Sequence, residues 1–233
     1  MIFVLIGGKN KDNNLNIIEK KAFRLANKEK PFVLYIPFAS KDIDKSYNKF
    51  LSLIDGISCE VCSLNFSNIN DVRKLMDKAD IIYVGGGVSD ALVNFFKVNK
   101  LDLLLKEYLN SDKVYVGSSA GAMLVTKVAM GDKDMYSDNY HNYNYKMVNC
   151  LDILHISICP HYQNEDLVIY NDVVKDFDIP AFGIEEDTAL VIDNDKFYVY
   201  KDDSKRSIYC FRKGKNMVSL YENKEYSFKD IRN

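Results

Sequence analysis

An excess of charge of one sign is missing from this chain: 31 Lys and Arg stand against 33 Asp and Glu, a formal net charge of -2. Without a basic excess or a polybasic cluster there is no electrostatic footprint for nucleic acid or for a membrane surface, and neither is expected as a partner. Long apolar runs are missing too. The run from Met1 to Ile6 stops at Gly7-Gly8 and carries neither a basic leader nor a small-residue cleavage motif, which argues against a signal peptide. No run approaches the roughly 18 apolar residues of a membrane span, so a cytoplasmic location is expected. Histidine is scarce, with three residues, and the five cysteines are scattered and odd in number. No His-Glu-x-x-His motif or Cys/His cluster offers a metal site, so neither metal nor cofactor is expected. Cys59 and Cys62 form a C-x-x-C pair within the strand-like stretch 57–64. Residues three apart on a strand point to opposite faces. No second pair follows, and both are read as half-buried strand residues.

What is present is an ordinary globular composition, 47% hydrophobic and 27% charged. The length suits one α/β domain, taken as residues 1–233, as a monomer or homodimer. Strand-like runs at 2–6, 32–36, 57–64, 81–84 and 114–116 alternate with helix-like segments at 13–27, 40–54, 69–76, 89–97, 100–109 and 120–127. A βαβα series with nearly continuous apolar strands predicts a parallel sheet covered by helices on both faces, a three-layer sandwich. Residues 153–159 read as a strand, and 165–176 as a helix. After Pro180, short β-like runs with Asn194-Asp195 and Lys213-Gly214 turns predict antiparallel strands added at one edge. Residues 131–150, rich in Gly, Asp, Asn and Tyr, read as a long polar loop of the kind that is often functional.

The segment Tyr115-Val-Gly-Ser-Ser-Ala-Gly-Ala122 carries the chemistry. It contains Gly117-x-Ser119-x-Gly121 between a strand and a helix, the context of a nucleophile elbow. A turn that sharp brings strand and helix backbones almost into contact, so the flanking positions must be small. Ser118 lacks glycines at both offsets, which leaves Ser119 as the nucleophile. A serine needs a base. His161 follows Pro160, just past the carboxyl end of a strand, where sites gather in open α/β sheets. His155 lies about six residues earlier, roughly 20 Å back along an extended chain. His141 lies in the polar loop. Gly85-Gly86-Gly87 ends another strand but lacks the Lys-Ser/Thr of a phosphate loop. Its better use is an oxyanion hole, with the Gly87 and Ala120 N–H groups flanking one carbonyl oxygen.

These pieces, with Tyr83-Val-Gly-Gly-Gly87, Asp134-Met135, Pro160-His161-Tyr162 and Glu185-Glu-Asp-Thr-Ala-Leu190 in that order, resemble the S51 peptidases, the family of dipeptidase E and cyanophycinase. The resemblance covers about Gly85 to Leu190. It implies a class I glutamine amidotransferase-like fold with serine in place of cysteine, and a serine peptidase acting on small peptides. It implies a Ser–His–acid triad of Ser119, His161 and Asp134, with Asp132 and Asp138 as neighbouring acids, and Gly87 as the matching oxyanion donor. Two positions depart from the family: Val88 follows the triple glycine, and the acidic Gln163-Asn-Glu-Asp-Leu167 replaces an Arg-rich segment. They leave the choice among acidic, neutral and basic peptides open. Glu185, Glu186 and Asp187 either line the pocket and read a substrate amine, or form a charged turn into Thr188. Two other functional classes stay open: an α/β-hydrolase esterase, whose chain order Ser119, Asp134, His161 would match, and a non-catalytic ligand-binding relative.

Overall fold

A computed structural model of the chain describes residues 1–132, 145–163 and 169–232. The first half runs β1 (Ile2–Ile6), α1 (Ile17–Arg24), β2 (Phe32–Ile36), α2 (Ile43–Leu53), β3 (Glu60–Ser63), α3 (Val72–Lys78), β4 (Ile81–Val84), α4 (Ser89–Val98), α5 (Leu101–Leu109), β5 (Val114–Ser118) and α6 (Ala120–Leu124). The second half is mostly strand: β6 (Thr126–Asp132), β7 (Tyr145–Asn149), β8 (Leu154–Pro160), α7 (Ile169–Val174), β9 (Ala181–Ile184), β10 (Thr188–Asp193), β11 (Lys196–Lys201), β12 (Ile208–Phe211), β13 (Val218–Leu220), β14 (Tyr226–Ser227) and α8 (Phe228–Arg232). No helix among the described residues is long and apolar enough to cross a membrane.

The strands form two sheets. The larger has the order β14-β11-β10-β1-β5-β4-β2-β3. Its β1, β5, β4, β2 and β3 pair in parallel, as the βαβα pattern predicts. Antiparallel β10 and β11 extend it beyond β1. The smaller sheet has the order β13-β12-β9-β8-β6-β7, with β8 parallel to β6 and β9 and the outer pairs antiparallel. The architecture is therefore a mixed α/β sandwich, and the single parallel sheet expected from the sequence is corrected to two sheets. The β-rich tail is split between them. Its strands β10, β11 and β14 edge the larger sheet, while β9, β12 and β13 join the smaller.

Two local readings also change. The helix expected over 120–127 ends at Leu124, and Thr126–Asp132 forms β6. Part of the expected polar loop, Tyr145–Asn149, is strand β7 hydrogen-bonded to β6. The stretch Leu124-Val-Thr-Lys-Val-Ala-Met130 is too short to show a period of its own that separates helix from strand.

Alternation along the strands sorts side chains to two faces. Val4 and Ile6 of β1 pack with Ile18, Ala22 and Phe23 of α1 and with Phe50 of α2. Phe3 and Leu5 point the other way, into a cluster with Leu92 and Phe96 of α4, Leu105 of α5 and Phe182 and Ile184 of β9. This second cluster joins residues of both sheets with those of α4, α5 and α6. Burying each such side chain contributes about 1.5–3 kcal/mol. The packing sets the carboxyl ends of β1, β4, β5, β8 and β9 around one point. The C-x-x-C pair follows the same rule: Cys59 packs on the first cluster and Cys62 on the second, and both thiols are free.

Candidate active site

Ser119 sits between β5 and α6 with φ 52° and ψ -113°. A non-glycine residue there is strained by on the order of 1–3 kcal/mol and persists only when its surroundings over-determine it. They do. Ser119 N–H donates to the Ile6 carbonyl at 2.9 Å, and its own carbonyl accepts from Met123 N–H at 3.1 Å. A Cβ on Gly117 would lie 2.4 Å from the Gly121 carbonyl oxygen, and one on Gly121 would lie 2.1 Å from the Val84 carbonyl oxygen. The two glycines are thus required by backbone contact. A buried contact not foreseen from sequence adds to the clamp: Tyr115 OH donates to the Gly121 carbonyl at 2.6 Å.

His161 is the first residue after β8 and also lies in the left-handed region, at φ 55°. Its N–H donates to the Gly7 carbonyl at 2.9 Å. Its ring lies over Gly8, where a Cβ would come within 2.3 Å of Cε1. Nε2 is 2.9 Å from Ser119 Oγ, and Nδ1 is 2.8 Å from Glu186 Oε1. A carboxylate at Nδ1 fixes the proton there, which leaves Nε2 as acceptor for the serine hydroxyl. Glu186 follows β9, and its N–H is held by Gln163 Oε1 at 2.7 Å. The hydrogen bond from His161 holds the Glu186 carboxyl below the usual carboxylate range, against the opposing effect of burial, with Gln163 and Arg206 adding smaller pulls.

The other sequence-derived candidates fall in several places. The Gly85–Gly87 loop abuts Ser119: a Cβ on Gly86 would lie 3.1 Å from Ser119 Cβ. Gly87 has φ 145°, and a Cβ there would meet the Ala39 carbonyl oxygen at 2.1 Å. Ala120 opens α6, where an N–H has no partner within the helix. Glu185 is turned away from His161. Its carboxylate accepts from Ser207 N–H at 2.9 Å and from Tyr209 OH at 3.3 Å. His155 is exposed beside Asp152. Asp134, Asp138 and His141 lie outside the described residues. Sequence reasoning left Glu186 as a pocket or turn residue. The signal that could have raised it is the one used for Ser119 and His161, a polar residue just past the carboxyl end of a strand.

Beside the serine, a cleft of about 650 Å³ is lined by Lys9, Lys11, Lys45 and Lys49, with Tyr35 and Tyr83 forming an aromatic wall. Gly85, Gly86 and Ser118 connect it to the Ser119 turn. Its lining includes no acid among the described residues. No group of three or more His, Cys, Asp or Glu among the described residues could hold a metal ion.

The model of peptidase family S51 matches residues 2–200. The chain belongs to peptidase family S51. Among its S51 relatives, a protein named peptidase E from Shewanella denitrificans is 28% identical over 171 residues, 67% of this chain and 69% of that one. A probable alpha-aspartyl dipeptidase of Drosophila melanogaster is 24% identical over 190 residues, 73% of this chain and 72% of that one. The fold is shared with the crystal structure of a peptidase from an acI-B1 actinobacterium, at TM-score 0.73 and 21% identity, covering 97% of this chain and 96% of that one. A putative peptidase E of Listeria monocytogenes matches at TM-score 0.63 and 19% identity, over 87% of this chain and 98% of that one.

Proposed function

We propose that this S51 peptidase is a serine dipeptidase that hydrolyses small peptides through Ser119, His161 and Glu186. The observation that carries this is the unbroken chain from Ser119 Oγ to His161 Nε2 and from His161 Nδ1 to Glu186 Oε1. That chain also favours Glu186 over Asp134 as the third member. In the same reading the sandwich is an amidotransferase-like domain with serine in the nucleophile turn.

Ser119 Oγ attacks the peptide carbonyl carbon as its proton passes to His161 Nε2. Glu186 holds the imidazole in orientation and stabilises the imidazolium that forms. The Gly87 and Ala120 N–H groups donate to the oxyanion, where losing one donor typically costs about 10²–10³-fold in rate. The tetrahedral intermediate collapses, the C–N bond breaks, and the amine leaves with the proton from His161. Water then attacks the acyl-enzyme with His161 again as base, releasing the acid and restoring Ser119.

The substrate we propose is a peptide bearing a carboxylate side chain. The cleft supports this, because Lys11, Lys45 and Lys49 line it and no acid among the described residues does, a balance of charge that favours an anion. The name of the Drosophila relative points the same way. Ser119→Ala is expected to abolish hydrolysis of α-aspartyl dipeptides by the purified protein. Hydrolysis retained in that variant would sink the assignment.

A further inference from the structure

The end of β1 holds two members of the proposed triad, and the residue next to the third, through its backbone. Ile6, Gly7 and Gly8 offer three successive carbonyls, to Ser119 N–H at 2.9 Å, to His161 N–H at 2.9 Å and to Asp187 N–H at 3.0 Å. Asp187 is the residue after Glu186. Gly7 N–H in turn donates to the Thr188 carbonyl at 3.0 Å. The β1 end is thus a frame that holds Ser119 and His161 directly and Glu186 through its neighbour Asp187.

That frame is pinned by charge. Lys9 continues the chain from Gly8, and its ammonium forms ion pairs with Asp202 and, at 3.6 Å, with Asp187. It also donates to the Leu15 carbonyl. Asp187 and Asp202 are 1% and 7% exposed, which makes them buried charges in need of this partner. Each carboxylate does a second task. Asp202 accepts from Ile18 N–H at 2.8 Å at the start of α1, and Asp187 accepts from Asn10 N–H at 3.3 Å. Asp202 N–H donates to the Asp187 carbonyl at 2.8 Å. Asp187 lies in the left-handed region at φ 59°, so its conformation has to be enforced from outside. A third carboxylate, Glu19, is buried nearby with one oxygen near Tyr83 OH and the other without a partner.

Lys9 also lines the lysine cleft, which suggests a substrate ligand. Its contacts argue otherwise. An ammonium has three donors, and Leu15, Asp202 and Asp187 occupy its surroundings.

We infer that Lys9 is a positioning residue: clamped between Asp187 and Asp202, it fixes the β1 end and with it the alignment of Glu186, His161 and Ser119. The inference rests on the serine-peptidase reading. Misplacing a catalytic group by about 1 Å costs up to about 10²-fold, so the loss appears in the chemical step and not in substrate affinity.

The test compares the wild type with Lys9→Met and with the double variant Lys9→Met/Asp202→Asn. The double variant removes both charges of the closest pair and avoids leaving Asp202 buried without its cation. Each is checked for a cooperative melt, then assayed for the rate at which a fluorophosphonate labels Ser119 and for kcat and KM on an α-aspartyl dipeptide. Labelling reports serine–histidine alignment without needing an acidic substrate. The expected result is a folded variant labelled about 10- to 100-fold more slowly, with kcat lowered by a similar factor and KM within about twofold of the wild type. A folded variant labelled at the wild-type rate overturns the inference. An effect confined to KM makes Lys9 a substrate ligand, and failure of both variants to fold makes it scaffold; either outcome also overturns it. A wild type that is not labelled at all removes the serine-peptidase reading, and the inference with it.

Discussion

Ser119 is kept in its turn by backbone that leaves no room for a side chain at Gly117 or Gly121. Glu186 is kept at its histidine by polar contacts: Gln163 holds its N–H, and the next residue, Asp187, lies in a buried ion cluster with Lys9 and Asp202. One end of the proposed triad is fixed by contact between atoms that nearly touch, and the other by charges out of water. Steric fixing is rigid and indifferent to pH. Ionic fixing depends on which groups carry charge, and removing one partner exposes the rest. The two ends should therefore fail in different ways.

The largest effect is expected at the steric end. Gly121→Ala puts a Cβ against the Val84 carbonyl, with backbone on both sides and no flexible side chain to yield. We expect a loss of about 3 kcal/mol or more in unfolding free energy, together with loss of activity. A chemical denaturation curve checks it, and a variant of wild-type stability would show that the strand–helix contact is looser than the spacing requires.

The next effect belongs to the ionic end and depends on pH. Burial pushes the Glu19 carboxyl up to about 7, with Asp202 adding to the rise and Lys9 opposing it. A carboxyl with a folded-state value above its unfolded one binds more protons when folded. Stability therefore falls as pH rises from the unfolded value, near 4.5, to about 7, and levels off above that. Glu19→Gln removes the penalty of a buried anion. It should stabilise the protein by on the order of 3 kcal/mol at pH 8, and by little at pH 4.5. Thermal melts of both proteins across this range check the sign. Equal gains at both pH values would mean that Glu19 is not titrating in the cluster.

The smallest effect is expected where a histidine has no part in either end. His155 is exposed and paired with Asp152 at 3.1 Å on the surface. Surface pairs contribute about 0–1 kcal/mol. His155→Ala should change neither kcat/KM nor Tm measurably, and a loss of activity would bring a second histidine into the chemistry.

The same contrast explains what the sequence made legible. The serine turn is encoded locally. Glycines two residues before and after Ser119 carry the steric requirement, and the strand before and helix after give it context. The parallel half of the larger sheet was readable for a similar reason, since each strand and helix declares its own periodicity. The ionic end is encoded nowhere in particular. Lys9 meets Asp202 across 193 residues and His161 meets Glu186 across 25, so no local pattern announces either pair. Lysines and acids are frequent on ordinary surfaces, and only the fold separates a buried pair from a solvated one. The second sheet was missed on other grounds. Its strand β6 follows α6 after a single residue with no glycine or proline to mark the change, and β7 is a polar-flanked segment whose partner is needed to define it.

The central claim is that Glu186 completes the triad with His161 and Ser119, and it is tested most directly by measuring kcat/KM for Glu186→Gln and for Asp134→Asn on the same dipeptide. Glutamine at 186 keeps the shape but lacks the charge that stabilises the imidazolium and sets its tautomer. The Glu186 triad predicts a fall of about 10²–10⁴-fold for Glu186→Gln, with Asp134→Asn close to the wild type. The reverse result, full activity in Glu186→Gln and a collapse in Asp134→Asn, would contradict it.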